Sequence, residues 1–518
     1  MAAEIEIAIL GAGISGLLAC KYTLSKGFNP TVFDSNDMIG GVWTKTILTT
    51  KLQTPKSLYQ FSDFPWPPSV TQNFPSQKQV LDYLHSYAQH HNLIQHINLN
   101  TRVLNLTYHG GPSEQEMLTC TFWGGTGQPF GPRGKWQVTV RDTRTLCTQV
   151  HQVDFVVLCT GMYSECPNIP EFPADKGPTA FQGNVIHSMD YSTMDHQTAS
   201  ELIQGKRVAV VGFQKSGMDI AMECSSANGI KQPCTLLYRK EHWNMPDYLP
   251  WGVPLEFLYQ NRFSELLLHK PGQGFLPNLL ATLLSPLRWG ISKFVESHIK
   301  KKLRLEKYGM VPPYSFLKSV NSCTIATVPE GFFERVEQGS IILKKARGFS
   351  FCSQGVVIDG ETEPLNIDLL ILATGFRGVD NLKDAFISPP FRDLMDTKDN
   401  GLQLYRRCVH PRIPQVAFIG FSESIANLFT SEMTCRWLAE LLDGTFNLPI
   451  IKEMEKDAYE WDEYMKKSSG EYYNSRSCLA GVQIWYNDQL CEDMGWNPKR
   501  KKSLLREWFE PYRPIDYA

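Results

Sequence analysis

Two glycine turns carry the residue types and spacing most readily assigned a chemistry. They are Gly11-Ala12-Gly13-Ile14-Ser15-Gly16 and Gly212-Phe213-Gln214-Lys215-Ser216-Gly217. Each comes after a short apolar run and leads into a helical pattern. The chemistry such turns serve is the binding of a dinucleotide pyrophosphate. The first glycine makes the turn, the second removes a side chain where phosphate approaches, and the third lets helix and strand pack closely. The helix N-terminus then offers free N–H groups and a partial positive charge.

The residues beyond each helix separate the two turns. The run Pro30–Asp34 reads as a second strand closing on Asp34, an acid that suits a free ribose hydroxyl. In the second unit the run Thr235–Tyr238 is succeeded by Arg239 and Lys240, which suit a 2′-phosphate. The first turn therefore reads as an FAD site and the second as an NADPH site. Gln214 replaces the middle glycine; it crowds a pyrophosphate unless the backbone sits back or its amide joins the binding. Gly40, Gly41 and Trp43 suit a loop against a flat ring or, equally, a turn with a packing tryptophan.

The elements that must position these turns form a nested plan. The runs 154–163 and 368–376 read as buried strands ending in Thr-Gly, where the chain crosses between domains. The fold expected is α/β, with two Rossmann-type dinucleotide domains, the NADPH domain inserted in the FAD domain. The boundaries expected are 1–165 for the first part of the FAD domain and 166–335 for the NADPH domain with a helical substrate-side insertion. The second FAD part is expected over 336–445 and a C-terminal extension over 446–518. A chain of 518 residues exceeds what one core usually holds, in keeping with such a division.

Composition excludes several function classes. The net charge of −2 leaves no basic field for nucleic acid. No apolar stretch reaches the length of a membrane span, and acidic residues stand where a secretory signal would be basic, so a cytoplasmic protein is expected. The nearest approach, 275–292, is broken by Pro277, Pro286 and Arg288 and reads as a buried or substrate-side helix pair, with membrane contact the alternative. The 13 cysteines are scattered and none forms CxxC, which argues against a disulfide framework, a zinc site and a dithiol centre; no metal is expected. The thiols are expected to pack as small apolar groups in a reducing compartment.

Between the first Thr-Gly strand and the second turn lies Phe181–Tyr191, with Phe181, Gly183, His187 and Tyr191 at fixed spacing. This FxGxxxHxxx(Y/F) pattern, between two dinucleotide turns in that order, resembles the flavin-containing monooxygenases, or class B flavoprotein monooxygenases. The likeness runs from residue 4 to about 445. It implies a glutathione-reductase-like build and a motif that couples domain geometry to NADP binding, with His187 structural rather than catalytic. Phe61-Ser62-Asp63-Phe64-Pro65 resembles a family segment preceded by an asparagine beside the flavin; that position falls on Gln53, a longer amide, which is the candidate catalytic residue. Asn427 stands in a segment that the family likeness places beside the flavin.

The resemblance further implies that NADPH reduces FAD, O2 adds to give a C4a-hydroperoxide, and a nucleophilic substrate takes one oxygen. Details of 52–56, 62–67 and 422–433 look most like the plant branch that N-hydroxylates amines and amino acids. S-oxygenation of a thioether and oxidative decarboxylation of a keto acid are the alternatives within the class. An NADPH-dependent flavin or disulfide reductase is the rival outside it. No C-terminal membrane anchor is expected.

Overall fold

The computed structural model describes residues 5–110, 113–130, 134–163, 165–380, 382–396, 401–472 and 477–518. Two parallel sheets organise it. The first has the order Val416–Phe418, Phe155–Leu158, Glu6–Leu10, Asn29–Phe33, Ile97–Asn98. The second has the order Ile341–Lys345, Cys234–Tyr238, Val208–Val211, Leu369–Leu372, Asn184–His187. Ile7, Ala8 and Ile9 are fully buried, as are Leu369, Leu370 and Ile371. A parallel sheet covered on both faces requires such continuous apolar runs rather than alternation.

The α/β nesting agrees with the sequence expectation, but one boundary does not. Strands Ile341–Lys345 and Leu369–Leu372 belong to the second sheet, so that unit extends well past residue 335. The helical segment that interrupts it hides the continuation, because the strand after the insertion pairs with Cys234–Tyr238 across a long chain separation. Two antiparallel sheets of three strands accompany the parallel ones, over 101–153 and 349–366.

The helix Asn427–Leu442 is buried almost all round and packs on the helix Ile14–Ser25. Its polar groups are satisfied internally. Glu432 accepts from Ser62 N at 3.0 Å, Ser62 Oγ at 2.6 Å and Tyr22 OH at 2.7 Å. An unpaired carboxylate at this depth is costly, so these bonds fix where the segment around Ser62 lies.

The C-terminal extension is integral to the body. Ser477–Cys478 pairs in parallel with Ser422–Glu423. Glu265 accepts from Ile484 N at 2.6 Å and Trp485 N at 2.8 Å, closing the first turn of the helix Gln483–Asp493. Burial pushes the Glu265 carboxyl up to about 7. Arg262 pairs with both Asp488 and Glu507.

Two further expectations are corrected. Cys323 and Cys478 form a disulfide with Cα atoms 5.7 Å apart. They are 155 residues apart in sequence, so no short spacing could signal the pair. And the helix Phe275–Leu283 is not buried: Phe275, Leu276 and Leu283 are 77%, 75% and 68% exposed, with Ala281 its buried residue. The helix pair is anchored instead through Val295, Ile299 and Leu303 in the second helix, Ser285–Leu303. No helix among the described residues is long and apolar enough to cross a membrane.

The disulfide closes a very long loop, so its loss should be felt. Cys478→Ser or added reductant should lower the thermal midpoint, at a cost of about 2–5 kcal/mol. The two together should lower it no further than either alone. A midpoint unmoved by both would show that the bond contributes nothing to stability.

Candidate active site

The first turn leaves room for backbone only. Gly11 has φ +111°, and a Cβ on it would lie 2.5 Å from Cys159 O. A Cβ on Gly16 would lie 1.8 Å from Gly11 O. Gly13 caps the helix Ile14–Ser25 without a side-chain bond, leaving the first N–H groups to an external acceptor. Gly41 faces it: a Cβ on Gly41 would stand 3.0 Å from Gly13 Cα. Gly13 and Gly41 thus form a cradle that side chains would fill. Asp34 accepts from Ala12 N at 2.7 Å and from Asn36 N at 2.8 Å, which aligns the carboxylate at the end of its strand. Trp43 donates to Tyr59 OH at 2.9 Å and lines the cavity.

The second turn repeats the geometry. A Cβ on Gly212, φ +126°, would lie 2.3 Å from Ala373 O, and one on Gly217 would lie 2.0 Å from Gly212 O. The helix Lys215–Asn228 again starts without a side-chain cap. Gln214 lines the cavity, and its Nε2 donates to Thr324 O at 3.3 Å. Arg239 is exposed at the end of its strand, and Lys240 lies 3.7 Å from Glu471. Burial lowers His242 to about 4, so it stands neutral beside these cations.

One cavity of about 1960 Å³ reaches both turns. That exceeds the roughly 300–1,000 Å³ of a single small-ligand pocket and suits two dinucleotides with a substrate. Of the residues expected to bind cofactor or act in catalysis, only Ala12, Gly16 and Gly217 do not line it. They hold the turns from behind. Gln53 lines it, with its Oε1 accepting from Thr327 N at 3.2 Å and its carbonyl accepting from Thr327 Oγ1 at 2.9 Å. Asn427 lines it too, but its amide oxygen is turned back to Ser424 N at 2.8 Å.

Sequence reasoning missed Thr327, Tyr248, Arg347 and Glu423, all on the cavity wall. Arg347 had a legible signal, a cation just after a strand, as at Arg239. Glu423 is buried and accepts from Tyr163 OH, a contact across 260 residues that no local pattern announces.

The signature stretch is built into the second unit, where Asn184–His187 is the edge strand of its sheet. Phe181 packs 6.1 Å from Phe351, and a Cβ on Gly183 would lie 2.5 Å from Asp368 O. His187 Nδ1 accepts from Met189 N at 3.1 Å, capping a short helix. Burial lowers the His187 pKa, and the side chain does not line the cavity, in keeping with a structural role. Tyr191 OH donates to Glu223 at 2.7 Å.

Two glycine turns of dinucleotide-binding type on one cavity define a protein built to hold two dinucleotides side by side. The chain belongs to the flavin-binding monooxygenase-like family, whose model matches residues 4–508. It is 41% identical over 518 residues to the probable flavin-containing monooxygenase 1 of Arabidopsis thaliana, covering 99% of this chain and 96% of the relative. The putative flavin-containing monooxygenase 2 of the same plant is 37% identical, with 95% and 98% covered. A solved steroid monooxygenase with NADP bound superimposes with a TM-score of 0.64 at 19% identity, covering 94% of this chain and 96% of that one. The protein is therefore an NADPH-dependent flavin monooxygenase with FAD and NADP as cofactors.

The cradle and the cations each give a test. Gly13→Val should fill the space facing Gly41 and yield folded protein that loses its flavin on gel filtration; retained flavin at full occupancy would contradict the cradle. Arg239→Ala should raise KM for NADPH about tenfold to a hundredfold, the scale of a charged hydrogen bond of roughly 1.5–3 kcal/mol. KM for NADH should hardly move; an equal rise for both coenzymes would make Arg239 structural.

Proposed function

We propose that the protein transfers one oxygen atom to a nucleophilic nitrogen of a small amine or amino acid. NADPH supplies two electrons, one atom of O2 enters the product and the other leaves as water. The Gly11–Gly16 turn with Asp34, Gly40, Gly41 and Trp43 would hold FAD, whose chemistry is the activation of oxygen. The Gly212–Gly217 turn with Arg239 and Lys240 would hold NADPH. Gln53 would place its amide at the junction of the two, where its side-chain oxygen is already engaged by Thr327.

The observation that bears on the substrate is an uncharged stretch of cavity wall, which calls for a neutral nucleophile and so, if the nucleophile is nitrogen, for the free amine. Thr327, bonded to Gln53, bridges to Met245. Tyr248, Leu255, Tyr259, Phe316 and Val320 line the same cavity, with Tyr259 and Phe316 rings 5.6 Å apart. None of these side chains carries a charge at neutral pH, and burial raises the pKa of both tyrosines. An apolar wall disfavours an ammonium ion and favours the neutral amine, the form whose lone pair is nucleophilic.

The reading is tested by the pH dependence of turnover. Amines, amino acids and thioethers should be screened for coupled NADPH consumption, with mass spectrometry for the gain of one oxygen. For an amine, kcat/KM should rise about tenfold per pH unit below the amine pKa of ~10, because only the neutral fraction reacts. A thioether has no such proton, and its profile should stay flat over the same range. Oxygenation of thioethers alone would overturn the nitrogen assignment.

A further inference from the structure

The segment carrying Gln53 is tied from both sides. On the FAD side, Gln77 N donates to Thr50 O at 3.1 Å, Leu52 N to Pro75 O at 2.8 Å, and Thr54 Oγ1 to Ile425 O at 2.9 Å. On the NADPH side stands the helix Lys215–Asn228, with Asp219 and Glu223 one turn apart on one face. Thr50 Oγ1 donates to Asp219 Oδ2 at 2.6 Å, and Thr49 Oγ1 donates to Glu223 Oε1 at 2.5 Å. These two threonines come three and four residues before Gln53.

Each acid has a second partner, and in each case that partner belongs to a cofactor-side element. Lys215, in the second glycine turn, donates to Asp219 Oδ1 at 2.5 Å. Tyr191, the last residue of the signature stretch, donates to the other oxygen of Glu223 at 2.7 Å. Asp219 is 5% exposed, so its carboxylate cannot exchange these partners for water without moving.

We propose that Asp219 and Glu223 are positioning residues that register the NADPH turn and the Tyr191 linker on the Gln53 segment. Asp219 divides its two oxygens between Lys215 and Thr50; Glu223 divides its two between Tyr191 and Thr49. A shift of the NADPH unit is thereby passed to residues 49–53 as a rigid displacement. With the latch intact, the amide of Gln53 keeps one place relative to both cofactors. With it broken, the segment is held from the FAD side and by Thr327, and its opening admits water. The fault expected is leakage: NADPH is oxidised and O2 is reduced to hydrogen peroxide, with no loss of nucleotide or flavin binding.

The test uses the flavin-loaded full chain, with NADP+ and NADPH as probes and no oxygenation substrate. Hydrogen–deuterium exchange is followed over peptides covering 46–56, with and without NADP+. Thr50→Val, which keeps shape and removes the donor, should speed exchange there by about two- to tenfold, the range set by one hydrogen bond. It should raise hydrogen peroxide release per NADPH consumed and leave the Kd for NADP+ within about twofold, since that change lies below one hydrogen bond. Thr50→Ser restores the hydroxyl and should restore both readouts. Asp219→Ala combined with Thr50→Val should be no worse for exchange at 46–56 than Asp219→Ala alone, because both remove the same contact. The exchange arm does not depend on any oxygen-transfer reading of Gln53, so failure of that reading would leave it standing. Unchanged exchange in Thr50→Val, a Thr50→Ser variant as defective as Thr50→Val, or additive effects in the double variant would each overturn the latch. Should Asp219→Ala fail to fold, the pair of Thr50 variants still decides.

Discussion

The structure depends on a backbone-to-backbone contact made twice. A Cβ at Gly16 would meet Gly11 O at 1.8 Å, and one at Gly217 would meet Gly212 O at 2.0 Å. Helix and turn are that close because nothing but hydrogen projects between them. Behind each turn stands the first residue after a crossing strand, Cys159 in one unit and Ala373 in the other, with its carbonyl pressed against the turn glycine. Each crossing strand then enters Thr-Gly. The place where the chain changes unit is thus fixed against the place where phosphate would bind. Two uncapped helix N-termini open on one cavity as a result.

Such contacts specify each unit but say nothing of how the units meet. That register is held largely by buried polar groups. Arg262, in the inserted segment, takes Asp488 and Glu507 of the C-terminal extension, and Glu265 takes the first turn of the helix Gln483–Asp493. A hydrophobic surface tolerates sliding, whereas a buried carboxylate moved off its donors loses bonds that water cannot replace there. Polar ties are costly to bury, and what they add is one permitted arrangement. In a two-cofactor enzyme that arrangement matters, because a displacement of about 1 Å at a reacting centre can cost two orders of magnitude in rate.

The division between what was legible in the sequence and what was not tracks the range of the interactions. Both glycine turns, the acid at Asp34, the cations at 239 and 240 and the Thr-Gly crossings are signals confined to about thirty residues, the span of one βαβ unit. All but the three residues behind the turns line the cavity. The unit boundary at 335 failed because a parallel strand can be supplied by any later stretch of chain. The partnership of Cys323 with Cys478 and that of Arg262 with Glu507 are separated by 155 and 245 residues, and nothing in local composition reports either. The exposed helix at 275–283 failed for the opposite reason. Asn278 and Thr282 mark one polar face, and the apolar remainder reads as core-facing although most of it meets solvent.

The signature stretch shows how a motif can be exacting without containing a reacting group. Its four residues touch four different parts of the molecule. Phe181 meets the small antiparallel sheet through Phe351, and Gly183 lets the chain pass the carbonyl of Asp368. His187 caps, through its own ring nitrogen, the short helix that carries Tyr191, and Tyr191 reaches Glu223 on the NADPH-side helix. A base would need access to substrate, and His187 has none from its buried place off the cavity. What its ring supplies is an acceptor at the length a two-residue cap requires. Through Glu223 the stretch thereby reaches the same carboxylate that Thr49, four residues before Gln53, also engages.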